Sequence, residues 1–326
     1  MIEIIDKYGR KINYLRVSVT DKCNLRCIYC MPKDHKDFLD NKDQLTSNEV
    51  FRIIKEAVSL GISKIRFTGG EPLVRKDIVD LIGMVNELEG IEEICMTTNG
   101  VLLHDNLDKL AINGLNRVNI SLDTLNKAKF KEITRGGDLT KVILAIDKCI
   151  EKNIKVKINV VIMDGINSNE IIDFVNLTKL KPIDIRFIEL MPIGEGKNYK
   201  SFSNNEILQK IKNNNFKYNT EKVNEVDGPA KYIKLIGGIG RVGFISAISN
   251  CFCNQCNRVR LTPDGFLKQC LNWNTGINLK EEITKGISDC DLNKLIKETI
   301  YEKPKNHLFK EINKNEDNRH MYQIGG

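Results

Sequence analysis

The first two thirds of the chain alternate short strand-like runs with segments whose apolar residues recur at helical spacing. Strands are predicted at 14–19, 64–67, 93–97, 117–122, 156–163 and 184–190. Helical patterns lie between them, including those at 105–113, 138–152 and 168–180. Such alternation implies a parallel sheet with helices packed outside it. The six units are fewer than the eight of a closed barrel, so a partial barrel and an open doubly wound sheet both fit this α/β pattern.

Polar and glycine-rich residues directly follow several of the predicted strands. These segments are Thr20–Cys23, Thr68–Pro72, Thr97–Gly100, Ser121–Asp123 and Glu189–Pro192. In parallel α/β folds, ligands bind at the carboxyl ends of the strands. We therefore expect these segments to converge on one rim and to form the active site.

The strand–helix rhythm ends near residue 200, where asparagine and lysine become frequent. Strand-like runs follow at 231–236 and 241–245, and helical patterns follow at 279–287 and 291–302. This change predicts two domains, 1–225 for the strand–helix repeat and 226–326 for a smaller C-terminal α+β domain.

The charge of the chain argues against a general nucleic-acid-binding role. The formal net charge is +7, and 50 lysines and arginines are scattered among 43 acids rather than gathered in a stripe. A local group of arginines could still hold a small phosphate ligand. No apolar run approaches the roughly 20 residues that span a bilayer, and the N-terminal residues lack the apolar segment of a signal peptide. We therefore expect no nucleic-acid partner, no membrane partner and a cytoplasmic location.

Ten cysteines are many for a cytoplasmic protein, in which disulfides are rare and closely spaced cysteines indicate metal or redox chemistry. Cys23, Cys27 and Cys30 lie on a loop that leaves the first predicted strand. Three thiolates suit an iron–sulfur cluster with one open iron. From spacing alone, a structural zinc with His35 as fourth ligand and a redox pair of Cys27 and Cys30 stay open as alternatives.

The first cysteine group, with Tyr29 before its last cysteine, resembles the signature of the radical S-adenosylmethionine superfamily. The segment 69–72, Gly–Gly–Glu–Pro, resembles the superfamily motif that contacts the methionine amino group. The resemblance implies a partial (β/α)6 TIM-type barrel and a [4Fe–4S] cluster whose open iron chelates S-adenosylmethionine. It also implies that Tyr29 lies near the adenine and that cleavage of this cofactor yields a 5′-deoxyadenosyl radical.

A second group of three cysteines lies in the C-terminal part, at Cys253, Cys256 and Cys270. From spacing, a zinc ribbon with Cys251 or Cys290 as fourth ligand is an alternative. Two groups of three cysteines, the second followed by Asn–Arg–x–Arg, resemble the GTP 3′,8-cyclase family, which performs the first step of molybdenum cofactor biosynthesis. The resemblance covers nearly the whole chain, and Cys251 is the departure from the family pattern that touches a motif.

The family resemblance implies conversion of GTP to (8S)-3′,8-cyclo-7,8-dihydroguanosine 5′-triphosphate, with two [4Fe–4S] clusters and S-adenosylmethionine as cofactors. The residues implied to bind S-adenosylmethionine are Tyr29, Gly70, Glu71, Ser121 and Met191. Those implied to hold GTP are Arg16, Lys64, Arg66, Thr97, Lys157, Arg186, Arg258 and Arg260. Those implied to be catalytic are Arg258, Arg260, Gly325 and Gly326, the last two in a tail that reaches the active site. The implied partners are a flavodoxin or ferredoxin as reductant and cyclic pyranopterin monophosphate synthase as the next enzyme.

Three other functions compete with this one. A radical enzyme that modifies a peptide would carry similar clusters without affinity for GTP. A zinc or nucleic-acid-binding module would hold zinc and no iron, and an electron carrier would not cleave S-adenosylmethionine. Arg258, Arg260 and the Gly–Gly end favour a nucleotide substrate, and neither non-enzymatic function explains the motifs at the strand ends.

Overall fold

The computed structural model describes residues 3–221, 228–309, 317 and 319–325. Its strands are β1 (Tyr14–Ser18), β2 (Lys64–Thr68), β3 (Glu93–Thr98), β4 (Arg117–Ser121), β5 (Lys155–Val161), β6 (Ile183–Ile188), β7 (Tyr218–Thr220), β8 (Lys231–Leu235), β9 (Arg241–Ile245), β10 (Arg258–Leu261), β11 (Phe266–Lys268) and β12 (Gly276–Asn278). Its α-helices are α1 (Ser47–Ser59), α2 (Ile78–Asn86), α3 (Leu103–Ile112), α4 (Lys127–Thr134), α5 (Leu139–Glu151), α6 (Ile171–Leu180), α7 (Asn204–Asn213), α8 (Leu279–Thr284), α9 (Asp289–Tyr301) and α10 (Met321–Ile324). The six predicted strands of the first part all form, within two residues of their predicted bounds.

The strands form one sheet in the order β12–β11–β10–β1–β2–β3–β4–β5–β6–β9–β8–β7. The eight strands from β10 to β9 in this order are parallel, and the outer pairs are antiparallel. The order has two ends, so hydrogen bonds do not close the described strands into a full barrel. The predicted α/β fold, a partial barrel built on six strand–helix units, is confirmed.

The C-terminal part of the chain extends the sheet at both edges of the six-unit repeat. β10 pairs with β1, and β9 pairs with β6. The C-terminal strands therefore flank the open side of the partial barrel. The predicted division between 225 and 226 falls in the segment 222–227, outside the described residues, and stays a prediction.

The two faces of the parallel sheet differ in chemistry. Alternate residues of the strands are apolar and buried beneath the helices, as Val17, Phe67 and Ile120 show. The intervening residues lie on the inner face and include Arg16 and Arg66, which line a cavity. A standard barrel fills this interior with branched aliphatic side chains. A charged interior is instead suited to holding a polar ligand.

The first helix shows how local sequence places these elements. At its capping box, the Glu49 backbone N–H donates to the Thr46 hydroxyl at 3.3 Å, and the Thr46 backbone N–H donates to the Glu49 carboxylate at 2.7 Å. Ile53 and Ile54 form part of its apolar face and are buried. Gly61 follows the helix with a φ of 105°, which a residue with a side chain rarely adopts.

In the described part of the chain, no helix has the length and apolar character needed to cross a bilayer. The expected cytoplasmic location stays a prediction.

Candidate active site

The loop after β1 and the loop after β2 are packed backbone to backbone. The N–H of Gly70 donates to the carbonyl of Thr20 at 2.8 Å, and the N–H of Glu71 donates to the carbonyl of Lys22 at 2.9 Å. A Cβ atom at Gly70 would lie 2.4 Å from the Lys22 carbonyl oxygen and 2.5 Å from that of Asp21. Only glycine fits here, so the Gly–Gly segment fixes the start of the loop that carries Cys23, Cys27 and Cys30.

Glu71 anchors the end of β3 to this pair of loops. Its buried carboxylate accepts hydrogen bonds from the Asn99 N–H at 2.7 Å, the Thr98 hydroxyl at 2.8 Å and the Leu73 N–H at 3.1 Å. Burial raises the pKa of Glu71 to about 7, against the opposing effect of these donors. The Glu71 side chain does not line the cavity that is described next. Its hydrogen bonds instead position Asn99.

A cavity lies beside the cysteine loop, at the carboxyl ends of β1 to β6. We call it the cysteine cavity; its lining includes Cys23, Cys27, Tyr29, Cys30, Gly70, Thr97, Asn99, Ser121, Asp123, Met191, Met321 and Tyr322. The convergence of strand ends predicted from the sequence therefore occurs.

Tyr29 and Asp123 form a fixed pair in the cysteine cavity. The Tyr29 hydroxyl donates to one Asp123 carboxylate oxygen at 2.7 Å, and the Val161 N–H donates to the other at 2.8 Å. Burial raises the pKa of Asp123 to about 6, although both hydrogen bonds favour the ionised form. Asp123 thus holds the Tyr29 ring in place.

A second cavity lies deeper in the barrel, and we call it the arginine cavity. Its charged lining residues are Arg16, Lys64, Arg66, Glu93, Arg117, Arg186, Arg258 and Arg260. In the sheet register, Arg16 of β1 lies between Arg66 of β2 and Arg260 of β10. Burial, together with neighbouring cations, lowers the pKa of Arg186 and of Arg260 to about 10. Buried cations that repel one another call for an anionic ligand.

The arginine cavity retains donor atoms for such a ligand. Among the described residues, no hydrogen-bond partner meets the buried Nε atoms of Arg66 and Arg186. The two cavities share the lining residues Asn159, Ile188, Met191 and Met321, so they adjoin each other.

The second cysteine group borders the arginine cavity, since Cys256 immediately precedes the lining residues 257 and 258. Burial would raise the pKa of the Cys256 thiol, but nearby Arg258, Lys303 and Arg10 bring it down to about 6. Burial and the adjacent thiols raise the pKa of Cys253. Cationic side chains therefore surround Cys256, whereas other thiols lie near Cys253.

The C-terminal tail enters the same region. The Arg260 guanidinium donates to the Gly325 carbonyl at 2.6 Å, and Met321 lines both cavities. The Tyr322 hydroxyl lies 3.1 Å from Nε2 of His35, which follows the first cysteine group. Gly326 lies outside the described residues.

A model of the Radical SAM superfamily matches residues 17–178, and a model of Molybdenum Cofactor Synthesis C matches residues 183–309. A GTP 3′,8-cyclase of Clostridium perfringens (strain SM101 / Type A) is 58% identical over 98% of this chain and 99% of its own length. The chain belongs to the GTP 3′,8-cyclase family. The resemblance predicted from the sequence is confirmed.

Other GTP 3′,8-cyclases are similar over the full length. Those of Alkaliphilus oremlandii and Clostridium botulinum (strain Hall) are 48% and 49% identical, over 98% and 99% of this chain and 99% and 100% of their own. Two solved structures of Streptococcus suis SuiB share the fold, one of them bound to S-adenosylmethionine. Their TM-scores are 0.60 and 0.63 at 17% and 16% identity, covering 84% and 91% of this chain and 65% and 68% of theirs.

The first cysteine loop fits the iron–sulfur cluster of its superfamily. The Leu25 N–H donates to Sγ of Cys23 at 3.4 Å, and the Asn99 side-chain amide donates to it at 3.8 Å. Such N–H donors to sulfur are a feature of iron–sulfur sites. Among the described residues, neither cysteine group forms a trio of ligand atoms within 4.8 Å of one another. A single zinc ion would draw its sulfur ligands to about 4 Å, so the wider spacing favours a multi-iron cluster.

The structure brings most of the predicted GTP 3′,8-cyclase site residues into the two cavities. Of the residues implied to bind S-adenosylmethionine or GTP, three lie outside the cavity expected for them. Thr97 lines the cysteine cavity rather than the arginine cavity. Lys157 lies outside the lining of both cavities, 3.5 Å from an Asp184 carboxylate oxygen. Glu71 is the third, as described above.

The sequence predicted no individual role for Asp123, Arg117 or Glu93. Asp123 ends the predicted segment Ser121–Asp123, so its position at a strand end was an available signal. Arg117 and Glu93 occupy the starts of β4 and β3, where an ion pair of 2.6 Å joins Nη1 of Arg117 to Oε1 of Glu93. Charged residues at strand starts also occur on protein surfaces, so the sequence carried no signal for them.

Replacing Gly325 by alanine should displace the tail. Gly325 has a φ of 73°, and an added Cβ would lie 2.3 Å from Oγ1 of Thr68 and 3.0 Å from Cβ of Ser18. We expect about a hundredfold loss of cyclised nucleotide, because a shift of about 1 Å suffices for such an effect. Gly286→Ala is the matched control, since Gly286 has a φ of 85° and nothing within 4 Å of an added Cβ. The backbone strain is then similar in both variants, and equal activities of the two would contradict a role for the tail.

Proposed function

We propose that the chain converts GTP to (8S)-3′,8-cyclo-7,8-dihydroguanosine 5′-triphosphate, the first step of molybdenum cofactor biosynthesis. The observation that carries this proposal is a cavity rich in buried arginines directly beside the cavity of the first cysteine loop. Two ligands, one of them anionic, could then meet across the shared wall. The names of the full-length relatives support the same activity.

Cys23, Cys27 and Cys30 would hold a [4Fe–4S] cluster beside S-adenosylmethionine. When bound, the cluster and S-adenosylmethionine would supply reductive radical chemistry, which would remove a hydrogen atom from GTP. Cys253, Cys256 and Cys270 would hold a second [4Fe–4S] cluster at the other end of the paired cavities. An N–H donor to sulfur supports this assignment too, since the His307 N–H donates to Sγ of Cys253 at 3.4 Å.

The arginine cavity would bind the triphosphate. Arg66, Arg16 and Arg260 follow one another across adjacent strands, which lie about 4.8 Å apart. Guanidinium groups at this spacing can each meet phosphate oxygens bidentately. The ligand charge would also relieve the repulsion among the cations.

The remaining work of the chain is to hold the two ligands in register and to exclude water. Gly70 and Glu71 fix the cysteine loop, and Tyr29 is fixed by Asp123. Met321 and Gly325 bring the tail against the cavities. Positioning of reacting atoms accounts for several kcal/mol of barrier reduction in such enzymes.

The other expected roles belong to the same proposal. A flavodoxin or ferredoxin would deliver electrons, and cyclic pyranopterin monophosphate synthase would receive the product. The chain would be divided into residues 1–225, carrying the first cluster, and 226–326, carrying the second.

The deciding experiment reconstitutes the protein without oxygen and supplies S-adenosylmethionine, dithionite and GTP. Mass spectrometry then follows 5′-deoxyadenosine and the nucleotide. We expect both products, with cleavage of S-adenosylmethionine stimulated by GTP. Formation of 5′-deoxyadenosine with unchanged GTP would refute the proposed substrate and favour a peptide-modifying enzyme.

Single cysteine variants should separate the two groups. Cys27→Ala should abolish 5′-deoxyadenosine formation, because the first cluster loses a ligand. Cys270→Ala should retain cleavage of S-adenosylmethionine and lose the cyclised nucleotide by at least about a hundredfold, comparable to losing a positioned substrate contact. Cys290→Ser is the control, since Cys290 is exposed on α9. Cyclisation by Cys270→Ala at the parent rate would contradict the assignment of the second group.

A further inference from the structure

Cys251 has no part in the function described above, yet it lies within a compact set of ligand atoms. The ligand atoms of Cys251, Cys253 and His307 are all within 4.8 Å of one another. Two thiols and one imidazole are a donor set typical of zinc and related soft divalent metals. Within the described parts of the chain, no other trio of histidine, cysteine or carboxylate groups has its ligand atoms this close together.

The spacing of these atoms suits one metal ion rather than a cluster. Bonds of about 2.0–2.3 Å from a tetrahedral ion place its ligand atoms roughly 3.5–4 Å apart. The trio needs only small side-chain adjustments to reach that distance. A fourth position could be taken by water because Cys251 is exposed.

Hydrogen bonds within the protein hold the backbone around the trio together. The buried Arg10 guanidinium donates to the Cys253 carbonyl at 2.9 Å and to the Lys305 carbonyl at 3.0 Å. It thereby ties the loop that carries both cysteines to the segment that carries His307. The His307 N–H also donates to Sγ of Cys253 at 3.4 Å.

We propose that Cys251, Cys253 and His307 bind a single soft divalent metal ion, such as Zn²⁺, in protein that lacks the second cluster. Cys253 belongs both to this trio and to the second cysteine group, so the ion and the second cluster exclude each other. The site itself is independent of the enzymatic activity, whereas the exclusion rests on the cluster assignment under the proposed function.

The test titrates full-length, cluster-free protein with Co²⁺, which substitutes for Zn²⁺ and is visible to spectroscopy. The cysteine groups can also bind Co²⁺, so the deciding signal is a paramagnetically shifted, exchangeable imidazole N–H resonance. We expect this resonance in the parent protein, its loss in His307→Ala, and its loss or displacement in Cys251→Ser. The matched controls are His104→Ala and Cys290→Ser, whose exposed side chains lie on α3 and α9. Absence of the resonance from the parent, or its persistence unchanged in His307→Ala or Cys251→Ser, would overturn the proposal.

A second arm examines the exclusion. Parent protein loaded with Zn²⁺ should incorporate less iron and sulfide on anaerobic reconstitution than metal-free parent, because the ion occupies Cys253. Cys251→Ser should show a smaller difference between the two conditions. Equal incorporation by Zn²⁺-loaded and metal-free parent would refute the exclusion. If metal-free parent forms only one cluster, the second-cluster assignment is what fails, and the Co²⁺ result still decides the metal site.

Discussion

Replacing Gly70 by alanine should lower the rate of 5′-deoxyadenosine formation at least about a hundredfold. The new Cβ would lie 2.4 Å and 2.5 Å from two backbone carbonyl oxygens, those of Lys22 and Asp21. Neither atom is at the end of a flexible side chain, so one of the two loops has to move. A shift of about 1 Å in a catalytic loop is enough to cost about a hundredfold in rate. The measurement is the yield of 5′-deoxyadenosine per cluster in dithionite-reduced, reconstituted protein.

The control for this variant is another glycine, at which an added methyl group has a small energetic cost. Gly83 lies inside α2, and the nearest atom to its added Cβ would be Oδ1 of Asn113 at 2.5 Å, at the end of a side chain that can rotate away. Alanine inside a helix is favoured over glycine by about 0.5–1 kcal/mol, so Gly83→Ala should keep its activity and gain stability. Full activity of Gly70→Ala would show that the contact between the two loops does not position the cofactor.

The second large effect is expected from Arg260→Ala. Arg260 lines the arginine cavity and donates to the Gly325 carbonyl at 2.6 Å, so this change removes a phosphate-binding group and a contact to the tail together. Loss of one member of a buried charged pair costs about 2–5 kcal/mol, which corresponds to about a 30- to 5,000-fold decrease in cyclisation. Formation of 5′-deoxyadenosine without GTP should stay at the parent level, because the cysteine loop is untouched. Product formation and GTP binding by calorimetry are the two measurements.

Thermal stability separates this loss of function from misfolding. Burial and the adjacent Arg258 depress the pKa of Arg260, so its charge destabilises the ligand-free protein. The Tm of Arg260→Ala should therefore equal or exceed that of the parent. Arg52→Ala serves as the matched control. Arg52 forms an ion pair of 2.7 Å with Asp289 and does not line the arginine cavity. A large drop in Tm for Arg260→Ala, or a parent rate of cyclisation, would contradict the assigned role.

Strands and helices with strong local patterns were predictable. The predicted helix 138–152 matches α5 within one residue at each end, and the run 241–245 matches β9. By contrast, α4 and α7 were not predicted. α7 carries only two buried aliphatic residues, Ile207 and Ile211, in a stretch rich in asparagine and lysine, so its apolar period is weak.

The location of the first cysteine loop was predictable because local order placed it after a strand. The pairing of β10 with β1 was not. Asn257 and Asn13, at the start of that pairing, hydrogen-bond at 2.8 Å across 244 residues of sequence. No local pattern encodes a partner at such a distance. The structure thereby explains why Arg258 and Arg260 face the same cavity as Arg16, which the motif alone could not establish.

That distant pairing also affects how the chain can mature on the ribosome. The edge of β1 has no neighbour on one side until β10 has emerged, and the edge of β6 waits for β9. Unpaired parallel edges are templates for wrong association, and pairings of high sequence separation form slowly. We therefore expect the nascent six-unit repeat to be prone to association until β9 and β10 have been made.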